Sequence, residues 1–139
     1  VKLVGGVAYL DRYDIDVLPV GGIIWKPNDL WEFNLLFPKP KIARRILWHG
    51  ALSDDKQDWF YVAGDYNPHV WAVERIGGFA DELTYRDIAV IVGLERRNIP
   101  GIDYKLELGY VFGRRLYYRS TDIERELDDT VMLRAIVHY

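Results

Sequence analysis

At 139 residues the chain has the size of one domain, residues 1–139, long enough to build a core and too short for two comfortable ones. Eighteen basic against 21 acidic residues leave a net charge of -3, no basic excess for nucleic acid, and the lack of cysteine excludes disulfides and thiolate metal sites. No stretch approaches the roughly 18 apolar residues of a membrane-spanning helix, while ten Tyr and five Trp are many for so short a chain.

The sequence starts at Val1 without a charged, apolar leader, the form of a processed chain or of a piece of a longer one. Residues 2–10 read as an extra strand. Residues 15–26 form the next β-type run, followed by the short turn "PND", residues 30–37 and the proline-spaced "PKPK". Then come residues 42–48, the polar loop "HGALSDDKQ", residues 58–66, the tight turn "NPH" and residues 70–76. After "GGFADEL" follow residues 84–97, the turn "NIPGID", residues 104–120, the acidic loop "TDIERELD" and a last strand running to Tyr139. No window carries apolar residues at helical spacing over three turns behind a cap. The expectation is an all-β chain of about eight strands, or nine with the first.

The strands have two unlike faces. Leu106, Leu108, Tyr110 and Phe112 alternate with Lys105, Glu107, Gly109 and Val111; Ile88, Val90, Val92 and Leu94 alternate with Asp87, Ala89, Ile91, Gly93 and Glu95. Trp31, Phe33, Leu35 and Phe37 make a third stripe beside Glu32 and Asn34, and Val131, Leu133, Ala135, Val137 and Tyr139 a fourth. A soluble lipocalin-like barrel binding a small apolar ligand produces this alternation with the oily side inward. An antiparallel up-and-down transmembrane β-barrel, or the C-terminal part of a larger one, produces it with the oily side outward. Strand length, aromatic residues at the edges of the apolar stripes, and an alternation of short and long connections favour the second. The short "PND" fits that alternation badly, and Arg44 and Arg114 fall on the oily face, where near the bilayer midplane each costs roughly 2–4 kcal/mol.

On the membrane reading Trp25, Trp31, Trp48, Trp59, Trp71, Tyr110, Tyr118 and Tyr139 are interface anchors. Glu74, Asp87, Glu95, Lys105, Glu107, Arg115 and Arg119 face the lumen. An interior of about eight strands is only wide enough for side chains, so these charges form an interlocked set of ion pairs; a wider assembly would make them a polar conduit.

"LLFPKPKIARR" and "LGYVFGRRL", with "GGIIWKPNDLWEF", "DDKQDWFYVAGDY", "YRDIAVIVGLERR" and "DDTVMLRA", resemble a family of uncharacterised bacterial outer-membrane β-barrel domains of planctomycete-type genomes. The resemblance runs from about Gly21 to the end. It implies a barrel in the outer membrane, partners among outer-membrane lipid, other envelope proteins or further copies, and no established activity. A last strand ending on an aromatic residue also resembles the signal read by the barrel-insertion machinery.

Little in the chain suggests other chemistry. Asp54, Asp55 and Asp58 offer oxygens for Ca²⁺ but lack the glycine and glutamate of a calcium loop, so a solvated loop is the simpler reading. The same holds for Asp122, Glu124, Glu126, Asp128 and Asp129 around Arg125. His49, His69 and His138 read as polar residues near strand ends, and no spacing builds a triad with Ser53. No catalytic residue, metal or cofactor is expected.

Overall fold

The computed structural model describes residues 1–9, 17–49, 55–75, 78–99, 101–120 and 123–138. They form one antiparallel sheet of nine strands: β1 (Lys2–Tyr9), β2 (Val17–Asn28), β3 (Trp31–Phe37), β4 (Lys41–His49), β5 (Asp55–Arg75), β6 (Phe79–Ile99), β7 (Asp103–Tyr118), β8 (Ile123–Leu127) and β9 (Thr130–His138). Each of β1 to β7 pairs with the next, and β9 also pairs with β7. The all-β, up-and-down expectation is met, and residues 2–10 do supply a strand.

Three sequence expectations are corrected. The turn at residues 67–69 lies inside β5, with Pro68 opposite Arg86. Pairing with β4 has ended at Ala63, so that stretch of β5 is a sheet edge, where a residue without an N–H is tolerated. The residues of "GGFADEL" from Phe79 onward belong to β6. The acidic loop is largely β8, because Glu124 and Glu126 reach Arg115 at 3.0 and 3.6 Å and alternate charges zip the two strands together. Leu127 opposite Arg114 and Thr130 opposite Val111 keep one alignment across Asp128 and Asp129, so β8 and β9 are a single lane with a break. Nine strands thus make eight lanes.

This lane order overturns the expected alternation of short and long connections, because the short β3–β4 connection lies at the opposite end from the β6–β7 one. Following each strand to its partner, one end of the sheet gathers Lys2, Asn28, Trp31, His49, Asp55, Ile99, Asp103 and His138. The other gathers Tyr9, Val17, Phe37, Lys41, Arg75, Phe79, Tyr118 and Ile123. We call these the near and far ends. The short turn at Asp29–Leu30 lies at the near end with the close of β9, whereas the expected alternation put it among the long connections. Strand length, more than loop length, separates the ends: β5 and β6 run 21 residues each and continue as an arm past the far end of β4.

A single sheet without a second layer can bury residues on one face only by curling around them. Ala43, Trp59, Tyr61, Ala89, Ile91 and Val111 are buried together on the inner face, with Ala63 and Met132 against them. The register carries the opposite face across every lane: Ile23 beside Leu35, Phe33 beside Ile42, Ile42 beside Val62, Val62 beside Val92, Val92 beside Leu108 and Leu108 beside Leu133. That outer face is apolar and exposed; Leu94 is 51% exposed, Leu108 51% and Leu133 74%. Pleating ties the two faces together, since each outward Val or Leu places a neighbour inward.

Among the described residues the register shifts three times, in β2 between Trp25 and Asn28, in β4 between Arg45 and Leu47, and in β7 opposite Arg86 to Ile88. Ile88 faces Phe112 but Arg86 faces Arg115, so β7 carries an extra residue at Gly113, whose φ of +59° suits glycine. Arg114 is thereby turned off the oily face to hydrogen-bond the Tyr85 hydroxyl (2.9 Å) and the Asp128 carbonyl (2.9 Å). Arg44 stays outward at the near rim, its guanidinium 5.4 Å from the Trp31 ring centroid. Expected closure is not seen among the described residues: the sheet is open, with β1 paired only to β2 and β9 only to β7. On β1, a Cβ added at Gly5 or Gly6 would meet no atom within 4 Å.

Candidate functional site

The inner face carries a ladder of charges whose order follows from the lanes. On β3, Glu32 accepts from Lys26 of β2 at 2.7 Å and from Arg97 of β6 at 3.2 Å. Arg97 also donates through Nε to Glu95 at 3.0 Å. Lys41 of β4 reaches the other Glu95 oxygen at 2.5 Å, and Lys105 of β7 stands 3.7 Å away. Glu95 is only 6% exposed and survives there ionised because three cations surround it.

A second knot lies beside the first. The Tyr61 hydroxyl donates to Glu107 Oε1 and Arg134 of β9 donates to Oε2, both at 2.5 Å. Aromatic faces complete the packing: Lys41 Nζ sits 4.0 Å from the Tyr61 centroid and Arg97 4.6 Å from that of Trp59, distances at which the ring quadrupole attracts a cation. Gly93 lies opposite Tyr61; a Cβ there would collide with the Tyr61 ring, so glycine is what lets the phenol lie flat across β6 toward Glu107.

Of the seven expected lumen charges, Glu95, Lys105 and Glu107 belong to these knots. Asp87 lies at the far end, accepting from Tyr85 at 2.9 Å. The other three do not face the interior: past the bulge Arg115 lies opposite Arg86, on the face of Ile88, and is paired with Glu124 and Glu126; Arg119 shares that face, paired with Glu82, and so by strand alternation does Glu74, opposite Ala80. Lys26, Glu32, Lys41, Arg97 and Arg134 escaped the sequence reading; their period-two positions give their face, but only lane register shows that they meet.

The aromatic anchors divide likewise. Trp25 and Trp31 stack on Phe33 at 5.1 and 5.7 Å at the near rim. Tyr110, stacked on Phe112 at 6.1 Å and bonded to Asp129 at 2.7 Å, marks the far rim with Phe37 and Tyr66. Trp59 departs from the expectation: it is 3% exposed on the inner face, because Arg45 opposite it in β4 is inward. Trp71 and Tyr118 sit beyond the bulge, Trp71 stacked between His69 at 5.5 Å and Tyr85 at 6.1 Å. Arg114, also beyond the rim, has its pKa raised by its hydrogen bond to Tyr85 and stays charged.

Trp48 is the last residue but one of β4, its backbone opposite Gln57. Ser53, Asp54, Asp122 and Tyr139 lie outside the described residues. Asp58 pairs bidentately with Arg96 at 2.7 and 2.8 Å, so it is not free to bind a cation. Among the described residues no His, Asp and Glu group could hold a metal ion. No family model, curated protein or solved structure matches the chain.

Proposed function

We propose that the outer face of the sheet meets lipid and that the chain is the wall of a bacterial outer-membrane β-barrel, structural or narrow-pored, without catalytic chemistry. The single observation that carries this is the polarity of the sheet: oily and exposed outside, charged and buried inside. In water each exposed large side chain of that face forgoes roughly 1.5–3 kcal/mol of burial, and a patch of this extent calls for a non-aqueous partner. From Tyr104 to Phe112, at about 3.4 Å per residue and a tilt of roughly 40°, the apolar band is about 20 Å tall, close to the ~25 Å of membrane barrels. Aromatic residues edge it at both rims, and its one outward Arg among the expected misfits, Arg44, lies at a rim beside Trp31. A soluble carrier of an apolar ligand needs its oily stripes turned inward, the opposite of this arrangement.

In lipid an unpaired strand edge leaves backbone N–H and C=O groups without partners. The edges β1 and β9 run in opposite directions, so they can pair with each other or with further strands while keeping an antiparallel, even-numbered wall. Delivery through β9 to the barrel-insertion machinery belongs to the same proposal. The test is electrophoretic mobility in SDS, boiled against unboiled, after refolding into detergent. A faster unboiled band is expected; a single band, together with a stable monomer in detergent-free buffer, overturns the proposal.

A further inference from the structure

We propose that a hollow on the inner face, about 280 Å³ in volume, binds a phosphate-class oxyanion. This goes beyond the membrane reading and does not depend on it. Four cations from separate parts of the sheet line the hollow: Lys39 before β4, Lys41 on β4, Lys105 on β7 and Arg134 on β9. Two carboxylates share the lining, Asp65 and Glu107, which leaves two positive charges in excess.

Both Glu107 oxygens are taken, by Tyr61 and Arg134. Asp65 Oδ1 is buried without a hydrogen bond and is balanced by the charge of Lys39 Nζ at 3.1 Å, while Lys39 donates one hydrogen bond to Asn67 Oδ1 at 3.2 Å. Glu95, just behind the lining, is held by Lys41 and Arg97. Lys105 is the exception. Its contact to Glu95 is 3.7 Å, beyond hydrogen-bond length, and it makes no hydrogen bond among the described residues, so its three N–H donors are uncommitted. Ile91 and Ile136 wall the same hollow and lower the local dielectric, which strengthens a cation's pull on an anion. The volume is several times the ~30 Å³ share of one water, enough for a tetrahedral oxyanion with part of its shell. Clustered ammonium groups match such a group's oxygens, while Arg134 is held to Glu107 through Nε and Nη2.

The phosphoryl group could arrive as free inorganic phosphate or on a small phosphorylated solute. The deciding experiment is calorimetric titration of the purified, folded chain with inorganic phosphate at constant ionic strength, with chloride as control and glycerol 3-phosphate in parallel. One saturable phosphate event is expected, not reproduced by chloride, and weakened at least tenfold by Lys105→Gln and by Lys39→Gln, with Glu126→Gln unchanged. Equal binding of glycerol 3-phosphate supports the site and widens its ligand to phosphorylated solutes; binding of phosphate alone supports the free ion. No saturable heat, or lysine variants titrating as wild type, overturns the proposal. If Lys105→Gln fails to fold, Lys39→Gln and the wild-type chloride control still decide. The SDS mobility of the same preparation reports the membrane reading separately, so the failure of one is not mistaken for the failure of the other.

Discussion

Glu95 shows what holds the inner face together and how much depends on one carboxylate. Glu95→Ala takes the carboxylate from between Lys41 and Arg97 and leaves Arg97 with Glu32 alone, and since both cations keep about a quarter of their side chains in solvent, the expected loss is about 2–4 kcal/mol, at or below the range for breaking a fully buried pair. Glu126→Gln on the exposed β7–β8 ladder should change stability by less than about 0.5 kcal/mol. Denaturant midpoints for the two variants check the contrast. The outer face makes the opposite demand. Val92→Arg sits mid-band, so in a bilayer it should cost about 2–4 kcal/mol; if that face met water the change would stay within about 0.5 kcal/mol. Urea unfolding from liposomes separates these outcomes. At this scale the sequence reading was right on face in the central strands, wrong for Trp59 and past the bulge at Gly113, and weak on partner. Period two assigned Glu95, Lys105 and Glu107 inward, yet nothing local to Lys26 or Arg134 reveals that each meets a glutamate on another lane.

Among the elements, β5 and the β8–β9 lane were the hardest to read. An Asn-Pro-His triplet has the composition of a turn, and only the loss of β4 as a neighbour makes Pro68 acceptable in a strand. Conversely, "TDIERELD" is polar enough for a loop and becomes a strand because Arg115 waits opposite. Longer apolar runs such as residues 84–97 were legible because their alternation needs no partner to be recognised. The bulge at Gly113 decides where the oily face of β7 ends. Gly113→Val forces a β-branched residue to φ +59° and is expected to cost roughly 1–3 kcal/mol. It also frees Arg114 from Tyr85 and Asp128. Thermal unfolding followed by circular dichroism in detergent gives the size of the loss, and an unchanged midpoint would mean that the bulge does not depend on glycine.

For the molecule as a whole, an inside-out sheet with two open edges has a plain consequence in solution. Detergent-free chain should sediment as aggregate, while detergent keeps it small and monodisperse, because the uncovered outer face and the unpaired β1 and β9 edges both recruit other chains. Sedimentation velocity with and without detergent reads this directly. The arm built from β5 and β6 opens another use. Its two strands stay in register over all 21 residues of β5, ending beside Gly78, so a peptide spliced into that tip lengthens a ribbon and leaves the lanes below untouched. If the proposed membrane location holds, an epitope displayed there would let an antibody applied to intact cells report which side of the membrane the arm faces, turning a geometric far end into a biological outside or inside.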